Sequence, residues 1–458
     1  MELAGRDTLI VGFGKTGAEL CRFLLNRGAH VTVSEKREAG QLSKKIGFWQ
    51  KRGVVFETGG HQKETFLGAD IIVPSPGVPK IPELEEAAAG GVEVLSEIEL
   101  AFRFLKGRVV GITGTNGKST TATLSHSILH KGGVKSFLAG NIGTPLISFV
   151  EESEDDHIYV TELSSFQLEY VKQFRAHISV FLNISPDHLD WHGSFAGYFE
   201  AKKHLLEIQD KEDIVILNRD DPLIWDLRKK SRPKVYGFSR SHIVTPGCFI
   251  EKEWIVYTNG KEEKVIPVGD IPLHGIHNQE NVMSATLIGF LFGIPPAEMK
   301  KTIKTFQSLE HRLEEVATLK NVVFYNDSKA TNVGATLKSL ESFDRKIILI
   351  LGGRDKGGNF ELLKKPVEER VKKILLIGEA KEKIARALKN HNCIPMEPVS
   401  SLREAVRLGF EAASPGEVVL LAPACTSFDM FQNFEDRGRA FKREVFRFMD
   451  RIKAKGPN

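Results

Sequence analysis

The chain has only four cysteines in 458 residues, Cys21, Cys248, Cys393 and Cys425, and no two of them form a CxxC pair. That spacing excludes a disulfide framework and a structural zinc site built on paired cysteines. Long hydrophobic runs are also missing. The longest, IILIL at 347–351 and VVLLA at 418–422, fall far short of the ~20 residues that span a bilayer and read as buried strands. The opening MELAGRDTLIVGFG passes straight into a strand pattern, with no basic segment followed by an apolar one. No export signal is expected, and the cytoplasm is the expected location. An excess of one charge is lacking too: 63 Lys+Arg face 59 Asp+Glu, a formal +4. So dilute a charge argues against nucleic acid or an anionic membrane as partner, and any phosphate site must be local. There is no short-period repeat and no low-complexity tract.

What is present is a globular composition, 41% hydrophobic and 27% charged, at a length that suggests about three domains. Three times an apolar strand leads into a glycine-rich turn and an amphipathic helix, the repeating unit of parallel α/β sheets. The first set, TLIVGFGKTGAELCRFLLNRG, HVTVSE and ADIIVPSPG, ends near EVLSEIELAFRFLKG and predicts a Rossmann-like domain over 1–97. The second opens with RVVGITGTNGKST, continues through HIYVTEL, HISVFLNIS and DIVILN, and predicts a phosphate-loop parallel sheet over 98–309. Within it, Asn259-Gly260 between alternating apolar residues predicts a hairpin and a small antiparallel edge. The third, with VVFYNDS, KIILILGG, KKILLIG and EVVLLAPA, predicts a second Rossmann-like domain over 310–458 that ends in a frayed AKGPN tail.

Two glycine loops carry the chemistry. Gly12-Phe13-Gly14-Lys15-Thr16-Gly17 is a GxGxxG between strand and helix, with Glu35 just after the next strand. It satisfies the dinucleotide fingerprint: glycines permit a tight turn and close approach to a diphosphate, and the helix start supplies N–H donors. A dehydrogenase using NAD is one reading of it, and any other nucleotide diphosphate another. The sharper loop is Gly111-Ile112-Thr113-Gly114-Thr115-Asn116-Gly117-Lys118-Ser119, which follows the strand RVV and opens a Thr/Ser-rich helix. Its backbone N–H groups can wrap a triphosphate, Lys118 can meet the outer phosphates, and the Ser119 hydroxyl suits magnesium. It departs from GxxxxGK[ST]: isoleucine stands at 112, and glycines recur at 111, 114 and 117.

The pattern TGTNGKST resembles the Mur ligases, the ATP-dependent amide-forming enzymes of peptidoglycan precursor synthesis. AGNIG at 139–143, TELSSFQL at 161–168, NISPDHLD at 183–190, YFEAKKHLL at 198–206 and HNQEN at 277–281 follow in the order of that family. LEHRLE at 309–314, YNDSKATN at 325–332, LGGRDKGG at 351–358 and ACTSFDMFQNFEDRG at 424–438 extend the likeness through the third segment. DSKATN and SFDMFQNFEDRG are similar to the branch of the family that adds D-glutamate. The resemblance implies ligation of D-glutamate to UDP-N-acetylmuramoyl-L-alanine, through an acyl phosphate and a tetrahedral intermediate, with release of ADP and phosphate. Rival readings are a related ligase such as a folate polyglutamate ligase, the NAD-dependent dehydrogenase, and a nucleotide-binding module without turnover.

Roles follow from the same resemblance. Gly114, Thr115, Asn116, Gly117, Lys118, Ser119 and Thr120 would hold the phosphates of ATP. Asn278 and Asn281, with His277 beside them, would lie near the adenine, and Arg312 and Asp327 would reach the phosphate and ribose. Ser119, Asn141 and Glu162 are hard oxygen donors suited to Mg2+, and His188 and Lys202 are implied at a second Mg2+. Lys202 would carry a CO2-derived carbamate, which reverses its charge. Gly14, Lys15, Thr16, Glu35, Lys36, Ser75, Gly77 and Asn141 would hold the UDP substrate. Lys329, Thr331, Lys356, Ser427, Phe428 and Phe434 would hold D-glutamate, a dicarboxylate suited to lysines and hydroxyls. Lys118, His188, Lys202 and Lys329 are the expected catalytic residues, the partners are small molecules only, and a monomer is expected. The split of ATP contacts between two domains predicts domain closure, and no role is assigned to Arg354.

Overall fold

The computed structural model describes residues 1–273, 275–389 and 394–454, and the structural statements below concern those residues. Cys393 and tail residues 455–458 lie outside them. The chain divides into two compact units, one of Met1–Ile184, Ala196–Pro267 and Asn281–Ile303, the other of Ser185–Phe195, Val268–Glu280 and Lys304–Asn458.

The first unit holds two sheets. Strands β1 (Asp7–Val11), β2 (His30–Glu35), β3 (Val55–Thr58), β4 (Ile71–Pro74) and β5 (Glu93–Val94) pair in the order β3-β2-β1-β4-β5, and every neighbour is parallel. The central strands are buried along nearly their whole length, which is why they read as continuous apolar runs. Because the strand order reverses direction between β1 and β4, their carboxyl ends flank the crevice where open α/β sheets bind ligands. The Gly12 loop and the Ser75 turn leave the sheet there. Glu35, expected just beyond β2, is the last residue of that strand.

The second sheet comprises β6 (Arg108–Thr113), β7 (Ser136–Gly140), β8 (Ile158–Glu162), β9 (Ile178–Phe181), β10 (Ile214–Asn218), β11 (Lys234–Ser239), β12 (Gly247–Glu251), β13 (Trp254–Thr258) and β14 (Glu262–Pro267). Its order is β14-β13-β12-β11-β10-β9-β6-β8-β7. The hairpin at Asn259-Gly260 joins β13 to β14, and the antiparallel edge runs over β12, β13 and β14. Register sets the site: Glu162 pairs with both Ile112 and Gly140, so the phosphate loop, Asn141 and Glu162 emerge side by side. A shared core that includes Leu24, Leu100, Ile147, Tyr159 and Phe174 joins the two sheets within this unit.

The second unit contains β15 (Glu314–Leu319), β16 (Val322–Asn326), β17 (Ile347–Gly352), β18 (Val371–Ile377), β19 (Met396–Pro398) and β20 (Val418–Leu421), in the order β15-β16-β20-β17-β18-β19. The expected parallel sheet is present with one antiparallel edge strand, β15. Asn326 and Ile350 both pair with Leu421, so the segments after β16, β17 and β20 leave one end of the sheet together. No helix among the described residues is long and apolar enough to cross a membrane.

Candidate active site

In the first sheet, Gly12 has φ +86, and a Cβ on Gly17 would lie 2.7 Å from the Gly12 carbonyl oxygen. A side chain at either position would spoil the turn or push the helix Lys15–Asn26 off the strand. Glu35 accepts from the Phe13 N–H at 2.8 Å and is held by Arg37, whose Nη2 donates to Glu35 Oε2 at 2.7 Å and to the Phe13 carbonyl at 2.8 Å. Burial raises the pKa of Glu35, but the Arg37 and N–H contacts outweigh it and the value falls to about 2. Glu35 is therefore an anion that braces the loop. Ser75 Oγ donates to the Gly12 carbonyl at 3.0 Å, which ties the second turn to the first. Lys15 Nζ donates to the Gly143 carbonyl at 2.6 Å. Lys36 and Gly77 are exposed and Thr16 is half-buried.

In the second sheet the phosphate loop runs from β6 into the helix Lys118–Lys131. Gly114 and Gly117 have φ +142 and +88, and a Cβ on Gly117 would lie 2.3 Å from Asn281 Oδ1. Glycine is required at 117 for both reasons. Asn183 fastens the loop through its carbonyl to Thr115 N–H at 3.0 Å, and through its side chain to Asn116 N–H at 2.9 Å and the Asn116 carbonyl at 3.1 Å. Lys118 Nζ donates to the carbonyls of Gly114 and Thr115 at 2.9 and 2.8 Å, which places its charge over the loop. Thr120 is buried on the same helix, and Thr121 Oγ1 donates to Asn281 Oδ1 at 3.2 Å.

Around Glu162 the carboxylate accepts from Ser119 Oγ at 2.5 Å and from Asn141 Nδ2 at 2.9 Å. Ser119 and Glu162 are buried. Three oxygen-bearing side chains thus meet at the mouth of the phosphate loop, a donor set that fits a hard divalent cation. Lys202, 1% exposed, lies below it on the helix Phe195–Glu207, with Nζ 3.2 Å from Thr113 Oγ1 and 5.0 Å from the centre of the Tyr198 ring. Tyr198 OH donates to Thr115 Oγ1 at 3.2 Å. Lys202 and the phosphate loop are thereby parts of one cluster.

In the second unit, His188 sits at φ 51 and caps the short helix Leu189–His192. Its neighbour Asp187 accepts from Lys356 Nζ and Asn332 Nδ2, both at 2.8 Å. Burial raises the pKa of Asp187, yet Lys356, His188 and Asn332 hold it near 2. At the end of β16, Asp327 accepts from the Leu313 N–H at 3.2 Å and from Ser339 Oγ. Burial outweighs these donors and the nearby Arg312, so its pKa rises to about 6. Lys329 Nζ lies 3.8 Å from the centre of the Phe434 ring and Ser427 is buried, while Phe428 is 62% exposed. Asn278 is buried in the helix Ile276–Leu291, near its start. Arg354 forms a bidentate pair with Glu379 at the surface.

Sequence reasoning missed Arg37, Asn183, Asp187 and Arg437. Each stands in or beside a motif it quoted, but the partners of Asn183, Asp187 and Arg437 lie far away in sequence, and only strand order brings them together.

Three family models match separate stretches: a Mur ligase MurD-like N-terminal domain over 6–96, a Mur ligase middle domain over 112–289 and a Mur ligase glutamate ligase domain over 311–425. A UDP-N-acetylmuramoylalanine--D-glutamate ligase of Koribacter versatilis is 45% identical over 455 residues, which cover 99% of this chain and 100% of that protein. A ligase of the same name from Acidobacterium capsulatum is 44% identical over 446 residues, 96% of each chain. Among solved structures, the UDP-N-acetylmuramate-alanine ligase MurC from Thermotoga maritima matches with a TM-score of 0.60 at 18% identity, over 98% of this chain and 100% of that one. At that identity the likeness speaks to the fold.

Proposed function

Because the chain belongs to the Mur ligases, we propose that it is the ATP-dependent ligase that joins D-glutamate to UDP-N-acetylmuramoyl-L-alanine in peptidoglycan precursor synthesis. The observation that carries this reading is the cluster of phosphate loop, Ser119, Glu162, Asn141 and buried Lys202, combined with two relatives of that activity over nearly the full length. The NAD-dependent reading rested on the first glycine loop alone and accounts for none of that cluster.

The chemistry has two steps. A carboxylate oxygen of the nucleotide substrate attacks the γ-phosphorus of ATP; the bond from γ-phosphorus to the bridging oxygen breaks and ADP leaves. The amine of D-glutamate then adds to the acyl carbon, loses a proton, and the tetrahedral centre collapses with loss of phosphate. Anions meet in both steps, so the protein must chiefly align and neutralise them. The loop N–H groups from Gly114 to Thr120 would cradle the phosphates, and Lys118 would exchange its loop carbonyls for phosphate oxygens. Ser119, Asn141 and Glu162 would hold one Mg2+, and His188 and a carbamylated Lys202 a second. When bound, Mg2+ withdraws the phosphate charge that would repel the incoming carboxylate.

The remaining assignments are part of the same proposal. Gly14, Lys15, Thr16, Lys36, Ser75 and Gly77 serve the UDP substrate, with Glu35 as brace of the loop. Asn278, Asn281, Arg312 and Asp327 serve ATP; Lys329, Thr331, Lys356, Ser427, Phe428 and Phe434 serve D-glutamate. Segment 1–97 then serves the UDP substrate, 310–458 serves D-glutamate, and ATP is served mainly by 98–309 with Arg312 and Asp327 added from the third segment; three family models in three separate stretches support the division into segments. We place the enzyme in the cytoplasm as a monomer, where ATP is at hand.

The test is release of ADP and phosphate with UDP-N-acetylmuramoyl-L-alanine, ATP and Mg2+, while the amino acid is varied. Release that requires both the nucleotide and D-glutamate is expected. Release indifferent to either one sinks the proposal.

A further inference from the structure

Arg437 is 2% exposed, and its guanidinium meets only neutral oxygens among the bonds described. Nε donates to Ser328 Oγ at 2.9 Å and Nη2 to the Ser328 carbonyl at 2.9 Å. Nη2 also donates to the Cys425 carbonyl and Nη1 to the Thr426 carbonyl, both at 3.1 Å. Ser328 Oγ in turn donates to the Phe434 carbonyl at 2.8 Å. Burial lowers the Arg437 pKa to about 10, which still leaves a cation at neutral pH. Asp429 acts on it only through space, and a buried guanidinium with no carboxylate bonded to it is costly unless its donors are satisfied.

The peptide groups it grips are informative. The Ser328 carbonyl immediately precedes Lys329 and the Thr426 carbonyl immediately precedes Ser427, while the Phe434 carbonyl, reached only through Ser328 Oγ, belongs to the residue whose ring faces Lys329. One backbone bond already joins the two turns, Ala424 N–H to the Ala330 carbonyl at 2.9 Å. The guanidinium adds four bonds between them, in a plane that fixes their spacing.

We infer that Arg437 is a positioning residue that sets the distance between the Lys329 turn and the Ser427 turn, and so determines how tightly the enzyme holds the dicarboxylate acceptor. This rests on the assignment of those turns to D-glutamate made above. Lysine cannot substitute, because an ammonium is a compact charge with three donors and no fixed fork.

The experiment is steady-state ADP release by the full-length enzyme, with D-glutamate and the UDP nucleotide titrated in turn, for the wild type, Arg437→Lys and Ser328→Ala. In Arg437→Lys the KM for D-glutamate should rise about tenfold, the loss of roughly one net charged hydrogen bond. Ser328→Ala, which removes the hydroxyl between Arg437 and Phe434, should raise it several-fold. The KM for the UDP nucleotide, whose proposed residues lie in the first unit, should stay within about twofold. An unchanged KM for D-glutamate, or a parallel rise in both KM values, overturns the inference. If Arg437→Lys does not fold, Ser328→Ala decides by the same criteria. A wild type without D-glutamate-dependent release refutes the proposed function instead, before either variant is measured.

Discussion

Lys202 is the residue at which the proposed chemistry is most exposed to test. It is buried and touches Thr113 and Tyr198 beside the phosphate loop, so truncation would remove a charge from the proposed reacting centre without baring a surface. Lys202→Ala should lower kcat by at least about a hundredfold, the scale of losing one preorganised electrostatic group. Added short-chain carboxylate should restore part of the rate, because a carboxylate can occupy the cavity with the charge of a carbamate. Full activity of the variant in the ADP-release assay would remove Lys202 from the mechanism. At this scale the sequence was legible wherever chemistry is local. Gly117-Lys118-Ser119 declares itself, since loop, charge and hydroxyl are contiguous. Arg437 was not legible, although it stands within a quoted motif, because three of its four bonds go to carbonyls at 328, 425 and 426, and a carbonyl leaves no mark on residue type. Asp187 was hidden in the same way: its link to Lys356 spans 169 residues.

Among the elements, the helix Glu97–Phe102 joins the two sheets of the first unit, and two buried carboxylates fasten it. Glu99 accepts three successive N–H groups, from Lys172, Gln173 and Phe174, at 2.9, 2.9 and 2.7 Å. Glu97 accepts from the Ile147 N–H at 2.7 Å, at the start of a short 3-10 turn. Burial outweighs that bond, so the pKa of Glu97 rises from 4.5 to about 7. The folded protein therefore binds this proton more tightly than the unfolded chain. The stability it contributes is complete below about pH 4.5 and is lost as the pH rises through 7, on the order of 3 kcal/mol. Glu97→Gln mimics the protonated form, so its urea midpoint should fall less between pH 5 and pH 8 than that of the wild type. Equal declines would place the titration elsewhere. Legibility of elements followed the apolar runs. Strands such as Ile347–Gly352, buried on both faces, were plain, and Asn259-Gly260 marked its hairpin. Val55–Thr58 and Ser136–Gly140 were missed, since they are short and incompletely buried and owe their pairing to neighbours rather than to their own pattern.

At the scale of the whole molecule, the near balance of 63 basic and 59 acidic residues takes on a physical meaning. The proposed substrates are all anions, yet in this reading their charge would be met at points: loop N–H groups, Lys118, the Mg2+ that Ser119, Asn141 and Glu162 would hold, and the lysines of the second unit. A protein that relied on a broad basic surface would attract nucleotides through a long-range field, which salt screens over about 8–10 Å. Contacts at hydrogen-bond distance within a cleft are screened far less. The rate at limiting UDP nucleotide should therefore fall less than about threefold between 50 and 250 mM KCl, at fixed free Mg2+. The protein should also pass through a heparin column at physiological salt, because counterion release on a polyanion needs many aligned cations. A decline of tenfold or more, or firm retention on heparin, would show that the cations are gathered on one face despite the balanced composition. The local neutralisation read from the phosphate loop would then be only part of how this enzyme collects its substrates.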